Sequence, residues 1–175
     1  MKKVNLYIPK VADLWFRQAC MKDPETMSYN AGYDVSYNGY HYDTGCIDFP
    51  ESEWEFWLDK KLKDKDSYYA YIQDSESENF VGYLNYHKIE DGRYMMGIVI
   101  YSKFQGQGYM RPAMMEFIKT AKANGVDNLY DSIPKSREKA LNVFYDLGFV
   151  VTQEFNSVKF GKADPCVEIM LDLNK

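Results

Sequence analysis

The stretch Ile98 to Ala113, IVIYSKFQGQGYMRPA, runs from an apolar β-rich segment into an amphipathic helix through two glycines one residue apart. No other part of the chain constrains the fold as strongly. Glycine takes positive φ without steric cost, and a helix N-terminus presents up to four unpaired N–H groups with roughly half a positive charge. Such an entry is either punctuation or a cradle in which backbone can lie against a phosphate. Gly106 and Gly108 permit the close approach, and Gln105 can add a side-chain donor.

What flanks the turn narrows the choice. Residues 3–8 suit a first strand, and Pro9 introduces a helix with Val11, Leu14, Trp15 and Ala19 at helical spacing. A second helix is expected over 48–63, with Ser52 and Glu55 as a capping box and Trp54, Trp57, Leu58 and Leu62 on one face. Strands at 67–73, 79–88 and 93–101 are joined by short polar turns, the mark of an antiparallel meander. After the glycine turn a helix with its N-terminus near Gln107 or Gly108 runs to Asn124-Gly125, and the strand at 129–133 must then lie parallel to its predecessor. A helix opened by Ser136 and two closing strands, 149–155 and 166–173, complete the chain. The expected architecture is α/β in the mixed α+β sense. It has a mostly antiparallel sheet of six to seven strands, one parallel β-α-β step, helices on both faces, and a single domain over 1–175.

That order excludes two other phosphate-binding designs. A dinucleotide fold puts its glycines after the first strand of a parallel sheet and adds a third, where this chain has Arg111. A P-loop needs a GK[ST] that is absent.

A net charge of −5 argues against a general nucleic-acid binder. The charge is uneven: Lys103 to Lys139 holds seven basic and four acidic residues, whereas Asp23 to Asp66 holds eleven acidic residues and four lysines. One end suits an anion and the other a cation. The three cysteines, Cys20, Cys46 and Cys166, lie too far apart in sequence for a zinc or redox motif. No apolar run spans a membrane and the N-terminus lacks a signal-like core, so a cytoplasmic protein without a membrane partner is expected.

Gln105-Gly106-Gln107-Gly108-Tyr109-Met110, placed after a strand and opening a helix, resembles the central motif of the GNAT superfamily of acyl-CoA-dependent N-acetyltransferases. Ala140 followed by Leu147-Gly148-Phe149 resembles a second feature of that family. The resemblance covers roughly residues 67–155 and implies acetyl-CoA as co-substrate, with no metal. It implies a sheet splayed between the strands at 93–101 and 129–133. The pantetheine arm would lie along Ile98, Val99 and Ile100, and the pyrophosphate on the amides of Gly106, Gln107, Gly108, Tyr109 and Met110, with Gln105 and Arg111 alongside. Lys103, Lys135 and Arg137 are further candidates for the nucleotide phosphates.

Two departures bear on catalysis. Phe144 stands where many relatives carry the tyrosine that protonates the leaving thiolate, and Tyr145 is one residue on, about 100° around the helix. The strand before the glycine turn has Met95, Met96 and Gly97 where many relatives carry a glutamate. Asp131 and His87 are the candidate substitutes for proton transfer.

Residues 28–49 hold five of the 16 tyrosines, with Asp34, Asp43 and Asp48. A loop so aromatic is expected to be ordered, and Tyr29, Tyr33 and Asp34 are candidate contacts for an ammonium-bearing acceptor. Asp34, Ser36, Asn38 and Gly39 share the opening spacing of a calcium loop, but Gly45 stands where a bidentate glutamate is needed, and no metal is expected. The expected function is transfer of an acetyl group to a primary amine of a small molecule or peptide. A homodimer stays open, and the rival reading is a non-catalytic acyl-CoA-binding or regulatory domain.

Overall fold

The computed structural model describes residues 2–175. Seven strands, β1 (Val4–Tyr7), β2 (Ser67–Asp74), β3 (Phe80–Lys88), β4 (Tyr94–Ile100), β5 (Asn128–Pro134), β6 (Val150–Lys159) and β7 (Lys162–Asp172), form one sheet. Their spatial order is β1-β2-β3-β4-β5-β7-β6, and β4 with β5 is the parallel pair. The helices are α1 (Trp15–Lys22), α2 (Pro24–Met27), α3 (Glu51–Lys63), α4 (Met110–Ala123) and α5 (Glu138–Asp146).

Strand alternation explains why helices cover both faces. In β2, Ala70 and Ile72 point to one side, where α4 and α5 bring Phe117, Leu141 and Phe144. Tyr69 and Tyr71 point to the other, against Phe16 of α1 and Trp54 and Leu58 of α3. With both parities buried, the central strands read as nearly continuous apolar and aromatic runs.

Several boundaries differ from the sequence reading. A 3-10 turn over Val11–Asp13 precedes α1 and changes its register, so Leu14, Phe16 and Cys20 face inward while Val11 and Trp15 are exposed. The helix α3 begins at Glu51 with Pro50 as its cap, so the Ser52 and Glu55 capping box does not form, and Leu62 is exposed because the sheet ends before that turn. Pro112 lies in the first turn of α4, which starts at Met110, later than expected. Ser136 precedes α5 by two residues, the first helical position being Glu138. The last two strands are longer than expected and join in a hairpin, which lets β7 insert between β5 and β6.

Candidate active site

The parallel pairing of β4 with β5 covers only two positions, Tyr94 with Leu129 and Met95 with Tyr130. Beyond them the strands part, and the gap is a cavity of about 420 Å³. Ile98, Val99 and Ile100 form one wall and Asp131 and Ile133 the other. Val143 and Phe144 of α5 close one side, Thr26 and Tyr29 stand at another, and the glycine turn forms the mouth.

The turn is built as its sequence demands. Gly106 and Gly108 have φ of +72° and +85°, and a Cβ on either would project into open space rather than against protein. The first backbone bond of α4 runs from the Ala113 N–H to the Tyr109 carbonyl. The amides from Gly106 to Arg111 find no acceptor among the described residues. These unpaired N–H groups at a helix start fit a pyrophosphate. The turn's own side chains brace it: Gln105 donates to the Ile100 carbonyl at 2.9 Å and Gln107 to the Lys103 carbonyl at 2.8 Å. Gln105 therefore spends one donor inside the turn rather than on a ligand.

Two anchors set the mouth. The buried Tyr109 hydroxyl donates to Asp74 at 2.7 Å, and that bond, with the Ser77 and Glu76 amides, holds the Asp74 carboxyl well below the usual carboxylate range. On the other side Asp23 caps α2 and accepts from Thr26 Oγ1 at 2.5 Å and Ser102 Oγ at 2.6 Å, while Thr26 Oγ1 accepts the Ser102 N–H at 2.8 Å. This clamp ties the segment after β4 to α2. Sequence reading passed over it, although Asp23-Pro24 followed by Thr26 carries the signature of an N-cap with proline at the first helical position.

The candidate residues separate clearly. Asp131 is the first residue of β5 beyond the last paired position, at the vertex of the gap. Burial pushes its carboxyl up to about 7, against the lowering influence of the Ser132 N–H and Arg137. Tyr29 lines the cavity, and Tyr33 lines an adjoining one with Ser132, Arg137 and Ser157. His87, Tyr145 and Asp34 are not brought into the cavity. His87 is exposed at the far end of β3, near Lys61 and Asp64. Tyr145 is turned outward by the helical step that buries Phe144, and Asp34 sits exposed in its loop.

Among the expected phosphate contacts, Arg111 pairs with Asp146 at 3.0 Å and Lys135 with Glu154 at 2.7 Å, both at the surface. Lys103 lies over the Tyr101 ring, and Arg137 over Tyr29. Among the described residues no group of three or more His, Cys, Asp or Glu side chains is gathered as a metal site, and no helix is long and apolar enough to cross a membrane.

The profile of the acetyltransferase (GNAT) domain matches residues 8–150. The chain belongs to the GNAT acetyltransferase family. Solved structures share the fold at low identity. Spermidine N-acetyltransferase from Vibrio cholerae, in complex with CoA and spermine, has a TM-score of 0.79 at 17% identity, covering 99% of this chain and 97% of that one. The yncA protein from Salmonella typhimurium, with its cofactor acetyl-CoA, has a TM-score of 0.74 at 15% identity, covering 100% and 95%. A GNAT-family acetyltransferase from Bacillus anthracis has a TM-score of 0.74 at 14% identity, covering 99% and 97%. Comparison with curated proteins finds no match. Within this GNAT fold, Phe144 is buried and meets Phe149 edge to face at 5.1 Å, an apolar contact at the position where the family resemblance leads one to look for a hydroxyl.

Proposed function

We propose that this GNAT chain transfers an acetyl group from acetyl-CoA to a primary amine of a small molecule or peptide. The observation that carries this reading is the parting of β4 from β5 directly above a helix start with unpaired amides. In this reading the amides of Gly106, Gln107, Gly108, Tyr109 and Met110 hold the pyrophosphate. The β4 wall at Ile98, Val99 and Ile100 receives the pantetheine arm, and Arg111 and Arg137 lie near the nucleotide end. Acetyl-CoA supplies the thioester; the protein positions it, excludes water and handles the proton.

Asp131 is the residue we assign to proton transfer. An amine attacks only when unprotonated, and a carboxyl with a pKa of about 7 at the vertex of the gap can take its proton near neutral pH. Backbone N–H groups of the parted strand serve the developing oxyanion. Phe144 offers no proton to the departing sulfur. A thiolate is stable enough to leave without one, so the step is slowed rather than blocked.

Thiol release from acetyl-CoA across a panel of amines tests the reading. Release that depends on the amine supports it. Tight acetyl-CoA binding with no release for any amine favours a non-catalytic acyl-CoA-binding domain.

A further inference from the structure

Arg17 projects from α1 into the aromatic layer on the face of the sheet covered by α1 and α3. Its guanidinium carbon lies 4.2 Å from the Trp57 ring centroid, 5.2 Å from Phe49, and 5.4 Å from Tyr69 and from Tyr83. Nη1 donates to the Tyr69 hydroxyl at 3.2 Å, while Nε is buried with no hydrogen-bond partner. The hydroxyls around it are those of Tyr69, Tyr83 and Tyr71, which burial keeps protonated and neutral. Aromatic faces offset only part of the cost of taking a guanidinium out of water, and the usual remedy is a carboxylate partner. Among the described residues no protein carboxylate fills that role within ion-pair distance.

The place of this cation relates it to the cleft. Tyr83 stands opposite Val99 in the β3–β4 register, and Val99 lines the cavity. Tyr29, on the cavity wall, has Arg137 5.8 Å from its ring; burial raises its hydroxyl, and Arg17 is among the charges that oppose that rise. Arg137 lines the main cavity and the two beside it. Two of the rings around Arg17, Tyr69 and Tyr83, are carried by β2 and β3, and β3 is the strand that pairs with β4.

We propose that the amine accepted at this site also carries a carboxylate, which docks on Arg17 in its aromatic cradle while the amine reaches the thioester end of the cleft. The proposal rests on the acetyl-transfer reading and names its substrate class: amino acids with the amine and carboxylate separated by several carbons, or acidic peptides of equivalent reach. A diamine would bring a second ammonium against a half-buried guanidinium, an unfavourable like-charge contact.

The test uses the full chain and four probes: 4-aminobutanoate, 6-aminohexanoate, butylamine and 1,4-diaminobutane. Initial rates of thiol release from acetyl-CoA are measured for each, with calorimetric binding of each to the CoA-saturated protein. The amino acids are expected to be preferred at least about 10-fold in kcat/KM, the scale of one charge-assisted hydrogen bond. Arg17→Met is expected to collapse that preference through KM with CoA affinity retained, and Arg17→Lys to recover part of it. Equal or better turnover and binding of butylamine or the diamine overturns the carboxylate subsite and leaves acetyl transfer standing. Binding of the amino acids that disappears in Arg17→Met, with no thiol release from any probe, supports the subsite and overturns acetyl transfer. Absence of preferred carboxylate binding in both assays overturns the subsite. If Arg17→Met does not fold, the wild-type preference and Arg17→Lys decide.

Discussion

At the scale of single residues, the glycines and Asp131 do most to define the site. Gly108 has a positive φ and faces open space, so a side chain there is strained and also fills the cradle. Gly108→Trp is expected to lower CoA affinity by about 100-fold or more, two powers of ten being about 2.7 kcal/mol, and circular dichroism should still show a folded chain. Unchanged affinity in a calorimetric titration would place the pyrophosphate elsewhere. Asp131 carries a second prediction, because its folded pKa is raised from 3.8 to about 7 by burial. The folded state then binds the proton more tightly than the unfolded chain, so stability falls as pH rises from about 4 through 7. Asp131→Asn, which cannot ionise, should melt higher than wild type at pH 8 and close to it at pH 4. The same variant should lose about 100-fold or more of kcat/KM, the usual worth of a positioned proton-transfer group, together with the rate limb near pH 7. A variant retaining that limb removes Asp131 from the mechanism. The aspartate was readable as a candidate because it lies on the strand next to the gap; its raised pKa depends on elements that pack around it only after folding.

At the scale of elements, periodicity identified the helices better than it identified their inner faces. Phe117 of α4 is fully buried between that helix and the sheet, as its spacing with Ala113, Met114 and Ala121 predicts. Phe117→Ala should cost about 3–5 kcal/mol in denaturant unfolding. Leu62 obeys the same spacing in α3 yet is 55% exposed, so Leu62→Ala should fall within about 0.5 kcal/mol of wild type. Equal costs for the two would mean that α3 continues over the sheet past Leu58. The difference is not local: helical spacing says which residues share a side, but the length of the sheet beneath decides how many of them are covered. The register of α1 shows the same limit, since a 3-10 turn at Val11–Asp13 rotates Trp15 outward and Phe16 inward. His87 fails as a cleft residue because it lies at the far end of β3, beside Lys61 and Asp64, a placement that depends on strand length and pairing.

At the scale of the whole molecule, ligand binding should stabilise the fold in proportion to occupancy. Acetyl-CoA or CoA at about 100 times its Kd should add roughly 2.7 kcal/mol, and NAD nothing comparable. For a chain of 175 residues that is a Tm rise of roughly 5–11 °C. Equal shifts with NAD, or none with CoA, contradict the assignment of the cleft. The order of strands and helices and the parallel step at the glycine turn were determined by the sequence alone, because turn chemistry, hydrophobic period and the need for a helical crossover act over short stretches of chain. That Phe144 stands where the family resemblance leads one to look for a hydroxyl was likewise legible, by counting back from Leu147-Gly148-Phe149. The depth of the parting between β4 and β5, the clamp of Asp23 on Ser102 and the insertion of β7 beside β5 were decided only by the tertiary structure. So was Arg17, an ordinary helical arginine in the sequence, which becomes a half-buried cation stacked among rings when Phe49, Trp57, Tyr69 and Tyr83 converge on it from separate elements. Desolvation and charge pairing depend on everything within a few ångströms of a group, and those neighbours are distant along the chain.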